Sequence, residues 1–163
     1  MLEIMEILRK DAHATPERIS DLTGIAVERV RAQVAAWEQQ GVIRRYKAVI
    51  DADRLREISG EQLITAFIDV AVTPARGLGF DDVALRISRF PEVRSVYLVS
   101  GAQDLRCVVA GRSMHDIADF VAQKLSTIER VTATATHFVM KTYKDDDELY
   151  AAPTPDRRLP VTP

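Results

Sequence analysis

Five cations stand close together in the first third of this 163-residue chain: Arg29, Arg31, Arg44, Arg45 and Lys47. Guanidinium and ammonium groups at that density suit the grip of phosphate oxygens along a nucleic-acid backbone. Between the first two and the last three, Ala32, Gln33, Ala36 and Gln39 lie on a helical stretch, most of them turned away from Val30 and Val34. Alanine methyls can touch thymine methyls, and a glutamine amide can bond a base edge. The plainer alternative is that these are ordinary solvated charges on a helical module. Other chemistries have little to work with. His13, His115 and His137 share no ligand spacing, so no metal site is expected. Cys107, the only cysteine, reads as a buried inert thiol. No Ser/His/Asp set, glycine-rich phosphate loop or close carboxylate pair is present, so neither catalysis nor a cofactor is expected.

The stretch Thr15 to Gln40 must position those cations. Thr15 is a helix N-cap, Pro16 suits the first helical position, and Glu17 favours the positive end of the dipole. Ile19 and Leu22 make a one-sided stripe, and Gly24 ends the helix and turns the chain. Val27, Val30, Val34 and Trp37 then recur every three or four residues, so a second helix spans about 26–40, with Gly41 closing it. Two short helices around a glycine turn make a winged-type helix-turn-helix, whose second helix can enter a major groove. A first amphipathic helix, carrying Leu2, Met5 and Leu8 with Ile4 and Ile7, closes a three-helix core. The β-branched run 42–50 is expected to be an exit strand, and the polar segment 52–62 a linker.

From Leu63 the period changes to two. Strands are expected at 63–72, 93–100, 105–110 and 131–143, and helices at 80–90 and 113–125, the latter capped by Ser113. The order β-α-β-β-α-β is ferredoxin-like, making an α+β chain of two domains, 1–51 and 63–144. Both helices cover one sheet face. The other, with Tyr97 and Val99, is expected to be apolar and to need a partner, most simply a second copy. Residues 145–163, acidic and then proline-rich, read as a flexible tail.

Charge and composition narrow the partners. The net charge is −2, and the cations of 1–51 are matched by as many acids, so any DNA binding rests on a local cluster and is salt-sensitive. No apolar run approaches a membrane span, and the early acids argue against a signal peptide. A reducing, cytoplasmic setting is expected from the single cysteine.

Several stretches together resemble the Lrp/AsnC family, the leucine-responsive or feast/famine regulators. Residues 37–46, WEQQGVIRRY, are similar to its L-E-x-x-G-[VI]-I-x-x-Y passage. Phe90-Pro91-Glu92-Val93 followed by Ser100-Gly101-Ala102-Gln103-Asp104 resembles its P-E-V…[ST]-G-x-x-D signature, and 131–136 its V-x-x-T-x-T strand. The resemblance covers roughly 1–144. It implies a transcription regulator that binds double-stranded DNA, a homodimer built through the sheets, larger even-numbered assemblies, and an amino-acid-type effector between dimers. It also implies an effector site at Ser100, Gly101, Gln103 and Asp104, with Thr134 and Thr136 adding hydroxyls on a face shared with Thr132. The plain alternatives there are turn chemistry for Gly101 and Asp104 and strand propensity for the threonines. Two positions depart from the pattern: Gln103 stands where tyrosine is common, and Ile25-Ala26 stand where serine usually opens the second helix. Two other readings stay open, a siroheme-decarboxylase-like enzyme of related architecture and a sensor or assembly module with little affinity for DNA.

Overall fold

The computed structural model describes residues 2–74 and 79–150. The chain divides into two compact units, Met1–Val49 and Ile50–Pro163.

The first unit holds three helices: α1 (Leu2–Lys10), α2 (Pro16–Thr23) and α3 (Val27–Gln39). Thr15 caps α2 by accepting from the Arg18 N–H, and Gly24 ends it in the left-handed region at φ 70°. Ile4, Ile19 and Val30, one from each helix, are fully buried, with Ile7, Leu8, Val34 and Trp37 packed around them. The apolar stripes are narrower than expected. Leu2 and Leu22 are exposed, and α1 turns Ile4 rather than Leu2 inward. No side chain caps α3 at Ala26, but the Thr23 hydroxyl accepts from the Ile25 N–H just before it. At the far end the Gly41 N–H reaches the Glu38 carbonyl and the Val42 N–H the Trp37 carbonyl, closing the helix around a left-handed glycine.

The exit strand expected at 42–50 does not form; Val42 and Ile43 bend back towards α3, and 44–50 are irregular and without strand pairing. A β-branched run becomes a strand only where a neighbouring strand takes its backbone groups. The segment expected to be a linker also differs, because α4 (Ala52–Ser59) occupies it. Asp51 caps α4 through the Asp53 and Arg54 N–H groups, and Gly60 ends it at φ 71°.

The second unit contains β1 (Ile64–Val72), α5 (Asp81–Ile87), β2 (Val93–Leu98), β3 (Leu105–Gly111), α6 (Met114–Phe120) and β4 (Val131–Phe138). The antiparallel sheet has the order β2-β3-β1-β4, the ferredoxin-like arrangement. Ser113 and Asp116 form a capping box at α6. The helix then widens into a single π turn, Val121–Leu125, through a bond from the Ser126 N–H to the Val121 carbonyl. Ala66, Ile68, Val70, Leu105, Cys107 and Val109 make the covered sheet face and bury against Val83 and Ile87 of α5 and Ile117 and Phe120 of α6.

The last strand is shorter than expected. The Val139 N–H still bonds the Thr65 carbonyl, but β1 begins at Ile64, so β4 runs out of partner. The acidic stretch after it is a small hairpin, β5 (Lys144–Asp145) with β6 (Glu148–Leu149), turned by left-handed Asp146 and Asp147. The proline-rich remainder of the expected tail, 151–163, lies outside the described residues.

The open sheet face is not uniformly apolar. Alternation places Phe67, Val108, Ala133 and Ala135 there, yet Asp69 and Arg106 pair at its centre with His137 beside them.

Candidate nucleic-acid interface and effector turn

In the first unit α3 is pinned through its buried side, by Val30, Val34 and Trp37, so its other side faces solvent. Arg29, Arg31 and Ala32 are exposed there, while Gln33 and Ala36 are half-buried. Arg31 is ion-paired to Glu17 in the first turn of α2. The Glu17 carboxyl is held below the usual carboxylate range, first by backbone N–H bonding and then by Arg31.

Arg44, Arg45 and Lys47 follow the helix on an irregular segment and are exposed. Two contacts tie this segment to α3. The Trp37 carbonyl accepts from the Val42 and Ile43 N–H groups, at 2.8 and 3.1 Å. The Tyr46 hydroxyl donates to the Glu38 carboxylate at 2.9 Å, and partial burial followed by that bond raises the Tyr46 pKa. The three cations are thereby carried close to the end of α3 without a strand to hold them. Only the spacing of Glu38 and Tyr46 across a glycine turn hints at this tether in the sequence.

In the second unit the Ser100–Asp104 turn joins β2 to β3. Asp104 is tied on three sides. Its N–H donates to the Val70 carbonyl at 3.2 Å, its carbonyl accepts from the Val99 N–H, and its carboxylate accepts from the Val72 N–H at 2.8 Å. The plain turn reading therefore has a real bond behind it, because one carboxylate oxygen finishes the end of β1. Gly101 sits at φ 144°, inside the region that favours glycine. Gln103 is half-buried, and its Oε1 is enclosed without a hydrogen-bond partner among the described residues.

Thr134 and Thr136 lie opposite Val70 and Ile68, on the half-buried, helix-covered side of β4. The face expected to be shared with Thr132 is broken by a bulge. Thr132 is the extra residue at the Ala71/Val72 register shift, and its hydroxyl donates to the Ala71 carbonyl. The turn flanks β1 on the β3 side and the threonines flank it on the β4 side. Within one subunit β1 thus separates them by about 10 Å, two strand spacings.

A helix-turn-helix unit followed by a ferredoxin-like unit with a P-E-V…S-G-A-Q-D passage is now in place. The profile of the Lrp/AsnC ligand binding domain matches residues 65–149, from β1 through the last hairpin. The chain belongs to the Lrp/AsnC family. This Lrp/AsnC regulator is 47% identical over 161 residues to the uncharacterized HTH-type transcriptional regulator YugG of Bacillus subtilis (strain 168), covering 99% of this chain and 95% of that protein. It is 27% identical over 144 residues to the leucine-responsive regulatory protein of Rhizobium meliloti (strain 1021), covering 88% and 89%. Among solved structures, a feast or famine regulatory protein from M. tuberculosis complexed with L-methionine superposes with a TM-score of 0.72 at 24% identity, covering 90% of this chain and 94% of that one. At that identity the likeness bears on the fold alone. Sequence relatives and profile agree on a helix-turn-helix transcription regulator of the Lrp/AsnC type. Among the described residues no helix is long and apolar enough to cross a membrane.

Proposed function

We propose that this Lrp/AsnC regulator reads double-stranded DNA with α3 in the major groove. Arg29, Arg44, Arg45 and Lys47, with Arg31 when freed from Glu17, hold phosphates. Ala32, Gln33 and Ala36 meet the base edges. The observation that carries this reading is the solvent-facing side of α3: its opposite side is locked into a three-helix core, and exposed cations stand at both of its ends.

The second unit dimerises through its open sheet face, where exposed Phe67 and Tyr97 would otherwise remain in water. Dimerisation sets the spacing of two reading helices, so the operator is a pseudo-palindrome. The Ser100–Asp104 turn binds an amino-acid-type effector. The enclosed end of the Gln103 amide and the free carboxylate oxygen of Asp104 suit its ammonium, and turn N–H groups suit its carboxylate. The match of residues 65–149 to the Lrp/AsnC ligand binding domain supports a small-molecule ligand in this unit. Because β1 separates Thr134 and Thr136 from the turn, those hydroxyls complete a pocket by way of another subunit. An effector that prefers one assembly shifts the balance between them.

A gel-shift titration at low salt, with DNA from upstream of the gene, tests the DNA reading. Wild type should bind more tightly than Arg45→Ala, and the variant should lose roughly one unit of salt slope. Equal binding and equal slopes would remove Arg45 from the interface. Calorimetric titration with the standard amino acids tests the effector; heat from none of them would remove that ligand class.

A further inference from the structure

One charged pair sits at the middle of the open sheet face. Strand register aligns Tyr97, Arg106, Asp69 and Ala135 in one row across all four strands, and Ser95, Val108, Phe67 and His137 in the next. Arg106 is bidentate, with Nε 2.7 Å from one Asp69 oxygen and Nη2 2.9 Å from the other. The His137 Nε2 lies 3.6 Å from the same carboxylate. Asp69 is only 9% exposed although it stands on the uncovered side, whereas the Arg106 side chain remains about half exposed.

We propose that the Asp69–Arg106 pair selects the partner and the stacking register of the homodimer. This rests on the sheet-to-sheet dimer proposed above. The surrounding apolar residues supply area but accept almost any apolar sheet. The pair does not. A guanidinium carries five N–H donors, and Asp69 takes two of them. The others are satisfied by water until a second sheet covers them. An apolar cover would leave them buried and unpaired, which is strongly unfavourable.

A second copy brings its own carboxylate to the same central position, because an isologous interface places one patch against itself. The pair is neutral, so it does not repel a copy as a whole. It does make stacking directional. Registers that set guanidinium over carboxylate are stabilised, and registers that set like on like are rejected. Asp69, Arg106, Tyr97 and His137 are the titratable or charged groups of these two rows.

The test is subunit exchange between isotopically distinguished proteins, read by native mass spectrometry. The double variant Asp69→Arg/Arg106→Asp keeps an internal pair of reversed polarity. Wild type and swap should each form homodimers, and the mixed dimer should fall roughly tenfold or more below its binomial share. Free mixing would overturn the inference and leave the dimer itself standing. A wild type that stays monomeric at micromolar concentration would instead sink the dimer, and the inference with it. Should the swap fail to fold, Asp69→Leu/Arg106→Leu carries the same test. It should dimerise with itself and be depleted in mixed dimers with wild type, whose Arg106 would lose its partner. Free mixing by this variant would equally overturn the proposal.

Discussion

The guanidinium of Arg31, on α3, is held by the carboxylate of Glu17 on α2. One of the five clustered cations is therefore already facing an anion, and a phosphate must compete for it. The pair also staples α2 to α3 on the side away from the buried core. Both side chains are more than half exposed, so water and salt weaken this contact.

Glu17→Gln should free Arg31. The expected outcome is tighter DNA binding at low salt and a salt slope steeper by roughly one unit. Arg31→Ala should cost less affinity than Arg45→Ala, because Arg31 gives up an existing partner when it turns to phosphate. Fluorescence anisotropy over a series of salt concentrations checks both. An unchanged slope in Glu17→Gln would mean that Arg31 never reaches the duplex.

The three-helix core is small, and Ile19 is fully buried within it. Ile19→Ala should cost about 2–5 kcal/mol, enough to unfold so small a unit under mild denaturant. Trp37 is the only tryptophan and packs against this core. Its emission should therefore shift to the red at lower denaturant in the variant, while the far-ultraviolet signal of the sheet unit persists. Loss of both signals at one midpoint would contradict independent unfolding.

Bidentate bonding from Arg106 holds the Asp69 carboxyl below its ordinary value of 3.8. The sign follows from linkage. A lowered folded-state pKa contributes stability that is present above the ordinary value and is lost as pH falls through the lowered one. Stability of the sheet unit should therefore drop on acidification below about pH 4. Asp69→Asn should flatten that limb. Denaturant midpoints across an acid series check this, and superimposable limbs for the two proteins would contradict it.

The strand-end bond of Asp104 and its proposed effector contact can be separated. Asp104→Ala removes the acceptor for the Val72 N–H and should cost about 1–3 kcal/mol in chemical denaturation. Asp104→Asn keeps an acceptor oxygen and should cost less. If the carboxylate also holds an effector's ammonium, both variants should lose the calorimetric heat of a ligand that wild type binds. Retained binding in Asp104→Asn would leave Asp104 with its strand-end bond alone.

What could be read from the sequence was what local chemistry decides. Thr15, Gly24 and the Val30–Val34–Trp37 spacing specify the helix pair without reference to the rest of the chain. Ser113 does the same for α6, and the alternation from Ile64 to Val72 marks the buried face of β1. The errors came where a distant partner decides. Residues 42–50 have strand-like composition but no pairing strand among the described residues, and β4 stops where β1 gives out. Helix α4 buries none of its residues and so leaves no apolar periodicity, although Asp51 and Gly60 mark its ends. Asp69 and Arg106 lie far apart in sequence, and only register brings them opposite each other. The Ser100–Asp104 turn is legible as a motif. Its separation from Thr134 and Thr136 is not, because a bulge at Thr132 and an intervening strand leave no trace in spacing.

Footprinting on genomic fragments captured by the purified protein tests the central claim most directly. Paired reading helices should protect a pseudo-palindrome whose half-sites lie about 10 base pairs apart, or a multiple of that. Protection should vanish in the Arg29→Ala/Arg45→Ala double variant. Uniform, sequence-independent protection, or a footprint unchanged in that variant, would contradict the account.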